Sequence, residues 1–249
     1  MHNKISVIIP TYNEGDHIAN LISEIKRHSV GLDCEIIVAD GGSIDETAES
    51  VLTTTATLVR SSQKGRGAQL NAGAEKATGN ILFFLHADSQ PPERFLYDVL
   101  EAVKSGHNAG CFRLKFDSNH WFLRVNAWFT RFNVNAVRFG DQGLFVTREL
   151  FDKTGGYRND YILLEDQEMV IRLKKFGAQF KVLQKSMTTS ARKYLENGVI
   201  SLQLNFFIIW WNYYLGKSQA ELVKIYKKRI LDTKIQEEDA TPKEALAKP

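Results

Sequence analysis

The opening of the chain constrains its fold more than any other stretch. Ile5-Ser6-Val7-Ile8-Ile9 is a short run rich in β-branched apolar residues, and Pro10 ends it abruptly before the polar Thr11-Tyr12-Asn13-Glu14 and a helical pattern. Such a run reads as a strand buried on both faces. It delivers Thr11 to Glu14 to the carboxyl edge of a sheet, where open α/β folds bind their ligands. The unit recurs at once: Glu35-Ile36-Ile37-Val38-Ala39 is followed by Asp40-Gly41-Gly42-Ser43-Ile44-Asp45-Glu46-Thr47. Two strand-to-loop units with carboxylates at their ends suggest a nucleotide pocket.

The alternation continues downstream. Further strand-like runs stand at Thr57–Arg60 and Ile81–Leu85, separated by helical patterns. The first helix carries Ile18, Leu21, Ile22 and Ile25 at the spacing of a buried face, and Gly67 to Ala77 reads as another, ended by Gly79. Alternating segments of this length imply right-handed crossovers and a mainly parallel sheet flanked by helices, an α/β fold. A helix from Phe95 leads to Cys111-Phe112-Arg113-Leu114-Lys115-Phe116, whose alternation predicts an antiparallel or edge strand with one wet face. The aromatic segment Trp121 to Phe132 is expected to be helical and buried. Gly143–Thr147 reads as a strand and Glu165–Phe176 as a helix. The stretch Gln236 to Pro249 is charged and free of aromatics, as a disordered tail would be.

Composition removes several classes of function. A net charge of +3 without a basic stripe interleaved with aromatics argues against nucleic acid. The two cysteines, Cys34 and Cys111, read as small buried residues in a reducing compartment. The N-terminal apolar run is too short for a signal peptide, and no stretch approaches the roughly 20 apolar residues of a membrane span. A cytoplasmic location follows as the expectation. Leu202 to Leu215 is apolar and aromatic and is followed by Lys224, Lys227, Lys228 and Arg229. A terminal helix packed on the domain explains this segment, and so does one lying at a membrane surface.

Each candidate site admits a plain structural explanation. Thr11 with Glu14, and Ser43 with Glu46, fit helix capping boxes. Asp40 stands before Gly41-Gly42, where the backbone can turn sharply and a ligand can approach closely. Lys64-Gly65-Arg66-Gly67 precedes a helix, so it is either an exposed basic turn or a diphosphate cradle of two cations and free N–H groups. His86-Ala87-Asp88 follows an apolar strand, and Glu165-Asp166 opens a helix whose dipole alone would favour carboxylates.

Taken in order, these motifs resemble the inverting, family 2 type of GT-A glycosyltransferase, whose openings read like PTYNE and DGGSxDxT. The resemblance spans roughly residues 4–230. It implies one GT-A nucleotide-diphospho-sugar transferase domain over residues 1–231, with a donor-binding half to about 116 and an acceptor and catalytic half beyond it. Asp40 then accepts a hydrogen bond from the nucleotide base, and Thr11 and Glu14 line the base and ribose pocket. Asp45 braces the loop. Lys64 and Arg66 meet the diphosphate, Asp88 binds Mn²⁺ or Mg²⁺, and His86 stands where family members carry the first Asp of Asp-x-Asp. Asp141, in Gly140-Asp141-Gln142-Gly143, shapes the donor-sugar or acceptor site, and Arg192 reaches the leaving group. Asp166 is the general base and Glu165 its partner. The implied donor is a nucleotide-diphosphate sugar, and the acceptor is a hydroxyl, with lipid-linked ones among the candidates. A nucleotide-sugar sensor without catalysis is the alternative from another class. A sugar-nucleotide pyrophosphorylase would want a Gly-rich phosphate loop directly after the first strand, where Pro10-Thr11-Tyr12-Asn13 stands.

Overall fold

The computed structural model of the protein describes residues 3–63, 65–138 and 140–232. Strand β1 (Ile5–Thr11) is buried along its whole length. It sits between β2 (Cys34–Asp40) and β4 (Ile81–Phe84), parallel to both, and β2 pairs in parallel with β3 (Thr57–Arg60). Helices α1 (Gly15–His28), α2 (Thr47–Leu52) and α3 (Arg66–Lys76) make the crossovers. A central parallel strand has no wet face, which is why these runs are continuously apolar rather than alternating.

The sheet extends beyond β4 through the rest of the chain, with strand order β3-β2-β1-β4-β7-β6-β8-β5. Next in sequence come β5 (Ser89–Gln90), α4 (Phe95–Lys104), β6 (Ala109–Phe116), α5 (Trp121–Phe129) and β7 (Leu144–Thr147). They are followed by α6 (Arg148–Thr154), α7 (Glu165–Lys175) and β8 (Phe180–Thr189). Strand β7 runs antiparallel to β4 and β6, and β8 lies parallel to β6. Three helices close the described chain: α8 (Arg192–Asn197), α9 (Val199–Tyr214) and α10 (Gln219–Arg229).

Two apolar layers cover the sheet. On one face Ile5, Val7 and Ile9 meet α1 through Ile18, Leu21, Ile22 and Ile25, with α2 and α4 beside it. On the other, Ile8, Leu82 and Phe84 meet α3, α6 and α7. The period-two alternation of side chains along β1 assigns its neighbours to opposite layers. Helix α3 lies so close to β1 that a Cβ at Gly73 would overlap Ile8 Cγ2, and glycine is what permits that approach.

Two expectations are corrected, those for α5 and for the capping boxes. Of the two alternatives for β6 the antiparallel one holds: the strand runs antiparallel to β7, has β8 on its other side, and buries its first four residues. The alternation beginning at Arg113 marks only the half beyond its pairing with β7. The aromatic segment is helical but largely exposed, since among the residues of α5 only Leu123 is fully buried. The boxes at Thr11/Glu14 and Ser43/Glu46 do not form, because neither α1 nor α2 has a side-chain cap of this kind. The segment from Gln236 expected as a tail lies outside the described residues.

Candidate active site

The parallel register pairs Thr11 with Asp40, so the loops after β1 and β2 leave the sheet side by side. That adjacency replaces the expected caps with bonds between loops. Asn13 N–H donates to Ser43 Oγ (2.9 Å) and Ile44 N–H to Asn13 Oδ1 (3.0 Å). Glu14 N–H donates to Thr47 Oγ1 (2.8 Å), and Asp45 accepts from Gly15 N–H and Thr47 N–H (both 3.0 Å), so Asp45 does brace this region. Asp40 is buried, and its carboxylate accepts from Gly42 N–H (3.2 Å), Ser43 N–H (3.2 Å) and the Ser43 hydroxyl (2.5 Å). Gln69, which carried no sequence signal, closes the floor by donating to the carbonyls of Thr11 (2.7 Å) and Ala39 (3.0 Å). The Thr11, Tyr12 and Ser89 hydroxyls are buried without a hydrogen-bond partner among the described residues.

A second group assembles at the same sheet edge. Arg66 opens α3 and places Nη1 2.7 Å from Glu165 Oε1 and 3.9 Å from Asp166 Oδ2. His86, two residues past β4, sits with Nδ1 3.0 Å from Asp141 Oδ1 and Nε2 3.3 Å from Asp166 Oδ2. Asp141 belongs to a single 3-10 turn, Gly140–Gln142, and also accepts from the Thr189 hydroxyl (3.3 Å) at the end of β8. The Tyr157 hydroxyl donates to Asp166 Oδ1 (3.3 Å), and Asn71 anchors that tyrosine by accepting from its N–H and donating to its carbonyl. Leu164, at φ 64°, turns the chain sharply into α7, and Glu165 and Asp166 are both buried. A left-handed leucine is strained, so its surroundings must hold it there. It packs against the cluster formed by α9 and α10.

The electrostatics follow from this packing. Burial and Arg66 both work against a charged His86, but its hydrogen bond to Asp141 and the Asp166 carboxylate facing its other nitrogen outweigh them and lift its pKa to about 10. Burial would raise Asp141 and Asp166, yet His86 and Arg66 hold both below the usual carboxylate range. Glu165 goes the other way: burial, with Asp166 next to it, raises it despite Arg66. Burial and the two carboxylates also push the Tyr157 phenol up, so it remains a proton donor. The two neighbouring carboxyls are thus pushed in opposite directions, Glu165 up by burial and Asp166 down by His86 and Arg66.

Asp88 is exposed at the mouth of this group. His86, Asp88 and Asp141 can each present one ligand atom within 4.8 Å of the others. The two carboxylates are hard oxygen donors of the kind Mn²⁺ and Mg²⁺ take, and His86 could join them only by giving up the proton it holds between Asp141 and Asp166. The structure therefore brings together Arg66, His86, Asp88, Asp141, Glu165 and Asp166. Thr11, Glu14 and Asp40 lie along the same sheet edge. Arg192 stands apart: its side chain is 73% exposed, with Glu196 at 3.8 Å. Lys64 lies outside the described residues. Sequence reasoning missed Tyr157, Thr189 and Gln69, because each acts through a contact across the fold and none belongs to a local motif.

Comparison with known proteins agrees with this architecture. The profile of Glycosyl transferase family 2 matches residues 6–162, ending just short of the acidic pair. The dolichol-phosphate mannosyltransferase of Pyrococcus furiosus is 34% identical over 108 residues, 41% of this chain and 31% of that protein. The undecaprenyl-phosphate 4-deoxy-4-formamido-L-arabinose transferase of Proteus mirabilis is 24% identical over 158 residues, 58% of this chain and 48% of that protein. The matched segments span between about a third and a half of these relatives' lengths. A mannosyltransferase from Pyrobaculum calidifontis, solved with GDP-Man and Mn²⁺, superposes with a TM-score of 0.62 at 22% identity, covering 76% of this chain and 57% of that one. That likeness concerns the fold, which is GT-A. With more than half its length matched by the family profile, the chain belongs to glycosyl transferase family 2.

Proposed function

We propose that this protein transfers a sugar from a nucleoside-diphosphate donor to an acceptor hydroxyl, with inversion at the anomeric carbon. The observation that carries the reading is the convergence of Arg66, His86, Asp88, Asp141 and Asp166 from separate loops onto one sheet edge beside the Thr11–Asp40 loops. The unpartnered hydroxyls of Thr11, Tyr12 and Ser89 support a donor pocket in the N-terminal half, since buried polar atoms are ordinarily paired. Asp40 shapes that pocket and meets the base.

Asp166 is the general base in this reading. It is ionised, and Tyr157 orients one of its oxygens. Glu165 is tied to Arg66 and serves as its partner. Arg66 offers positive charge to the departing diphosphate, whereas Arg192, exposed beside Glu196, would have to move to reach it. Asp88, His86 and Asp141 would hold Mn²⁺ or Mg²⁺, which when bound supplies charge stabilisation to the leaving group. The names of two relatives include a lipid phosphate, which supports a lipid-linked acceptor.

Nucleotide-sugars screened for thermal stabilisation, with and without Mn²⁺, test the donor, because a ligand of the native state raises its stability by mass action. The expected result is stabilisation by one donor, strengthened by metal, with slow release of nucleoside diphosphate in water. Stabilisation with no release on prolonged incubation would favour a sensor over a transferase.

A further inference from the structure

Helices α5 and α9 each carry an apolar face that the rest of the described chain leaves uncovered. On α9 the apolar residues divide into two faces. Leu202 and Ile209, with Phe206 and Tyr213 packed beside them, face α10. Leu204, Phe207, Trp211 and Tyr214 recur at the same helical spacing on the opposite side, each 51–58% exposed. Helix α5 is arranged alike: Leu123 is buried, and Trp121 and Trp128, one heptad apart, are 65% and 46% exposed on the far side. The two helices are in contact, with Asn126 of α5 donating to Gln203 of α9 (2.8 Å), both residues half-buried at the seam.

Charge decides what covers this face. Neither α5 nor α9 contains an acidic residue. Arg124 shares the exposed side of α5, Arg131 stacks on the Trp128 ring at 4.6 Å, and Lys217 is exposed just past the end of α9. The basic run of α10 is not part of this rim, because α10 packs against the other side of α9. A second copy meeting this face about a twofold axis would set these cations against themselves. No helix among the described residues is long and apolar enough to cross a membrane. Tryptophan and tyrosine on two helices that carry arginine and no carboxylate of their own match the boundary zone of an anionic bilayer.

We propose that the α5–α9 face is a docking platform for an anionic lipid surface, with the helices lying in the interface and the aromatic rings at headgroup depth. The platform is rooted at the sheet edge that carries the catalytic candidates. Asp117, just before α5, accepts from Ala191 N–H (2.7 Å) just before α8, while Thr189 two residues earlier holds Asp141. Docking would therefore bring the site close to the lipid. The inference stands on the surface itself and is independent of the chemistry assigned to the site.

All four tryptophans of the chain, Trp121, Trp128, Trp210 and Trp211, lie on these two helices, so intrinsic fluorescence reports the contact directly. The full chain is mixed with phosphatidylcholine vesicles containing phosphatidylglycerol, with and without brominated acyl chains. Quenching by the brominated lipid at low ionic strength, fading with salt and absent with phosphatidylcholine alone, is expected. The pair Phe207→Ser and Trp211→Ser should weaken binding at least tenfold with little change in melting temperature. Arg124→Gln with Arg131→Gln should remove much of the salt dependence, and it tests the idea even if the first pair fails to fold. Absence of quenching at low ionic strength, unaltered binding in both variants, or a concentration-dependent dimer that excludes lipid would each overturn the proposal.

Discussion

His86 Nδ1 lies 3.0 Å from Asp141 Oδ1, and this contact ties the end of the β4 loop to the 3-10 turn that precedes β7. The opposite ring nitrogen faces Asp166, so one imidazole links three segments that are far apart in the chain. Family resemblance implies a carboxylate at position 86. An imidazole there allows Asp141 and Asp166 to stand close together, because a protonated ring offsets their mutual repulsion.

The first prediction concerns the metal. Asp88→Asn removes the proposed metal-binding carboxylate without disturbing the buried network, since Asp88 is exposed. Calorimetry should show that Mn²⁺ no longer strengthens nucleotide-sugar binding in this variant, a loss of about tenfold or more. His86→Ala should only reduce the enhancement. Equal donor affinity in chelator and in Mn²⁺ for the unaltered protein would rule out a metal-bridged diphosphate.

A base acts in the transition state, so its loss should appear in turnover rather than in donor affinity. Asp166→Asn is expected to lower kcat by at least about 10²-fold, with the donor Kd little changed. Glu165→Gln should be milder. If Glu165→Gln is inactive while Asp166→Asn turns over normally, the roles within the pair are exchanged.

Gly140 is bounded by the site it supports. A Cβ at this position would overlap Asp166 Oδ2 and the His86 ring, neither of which can retreat without breaking the network. Gly140→Ala should therefore cost about 1–3 kcal/mol in stability, as overpacking does, and most of the activity. Chemical denaturation and steady-state rates on the same preparation measure both effects.

Asp40→Ala is expected to weaken nucleotide binding by about 1–3 kcal/mol, the usual effect of leaving buried donors unpaired. Because Asp40 also holds Gly42 and Ser43, the same variant should melt earlier. A lower melting temperature with unchanged nucleotide affinity would confine Asp40 to bracing its own loop.

At the other end of the sheet, Glu35 predicts an acid limit. Burial tends to raise its pKa, but hydrogen bonds from Ser6 and from the Thr78 N–H and hydroxyl outweigh that and pull it down to about 2 from 4.5. A depressed carboxylate stabilises the fold above its unfolded pKa, and that contribution fades as pH falls from 4.5 to 2. Glu35→Gln should flatten the stability profile across this window. An unchanged acid limb in urea melts would exclude Glu35 as its source.

Much of the fold was legible before any coordinates. The apolar runs at Ile5–Ile9 and Glu35–Ala39 become β1 and β2, and the spacing of Ile18, Leu21, Ile22 and Ile25 becomes the buried face of α1. Local periodicity reports burial reliably where a strand is covered on both faces. At β6 alternation left an antiparallel strand and an edge strand open, and only the pairing with β7 and β8 decided between them. It misled at α5, because a dense aromatic sequence signals attraction to an apolar phase without saying whether that phase is the protein's own core.

The candidate site divides along the same line. Sequence alone determined that carboxylates and cations would stand at strand ends, since Asp40, Asp88 and Arg66 follow or precede regular elements whose direction the crossovers dictate. Only the tertiary structure decided which of them meet. Arg66 is 99 residues from Glu165 and Asn71 is 86 from Tyr157, and nothing in local spacing pairs them. Such contacts arise when α3 and α7 pack on one face of the sheet, and their geometry depends on how closely glycines such as Gly73 and Gly140 let neighbouring elements approach. Residue identity carries the chemistry of each group, but its protonation and its partners are set by burial and distance, which exist only once the chain has folded.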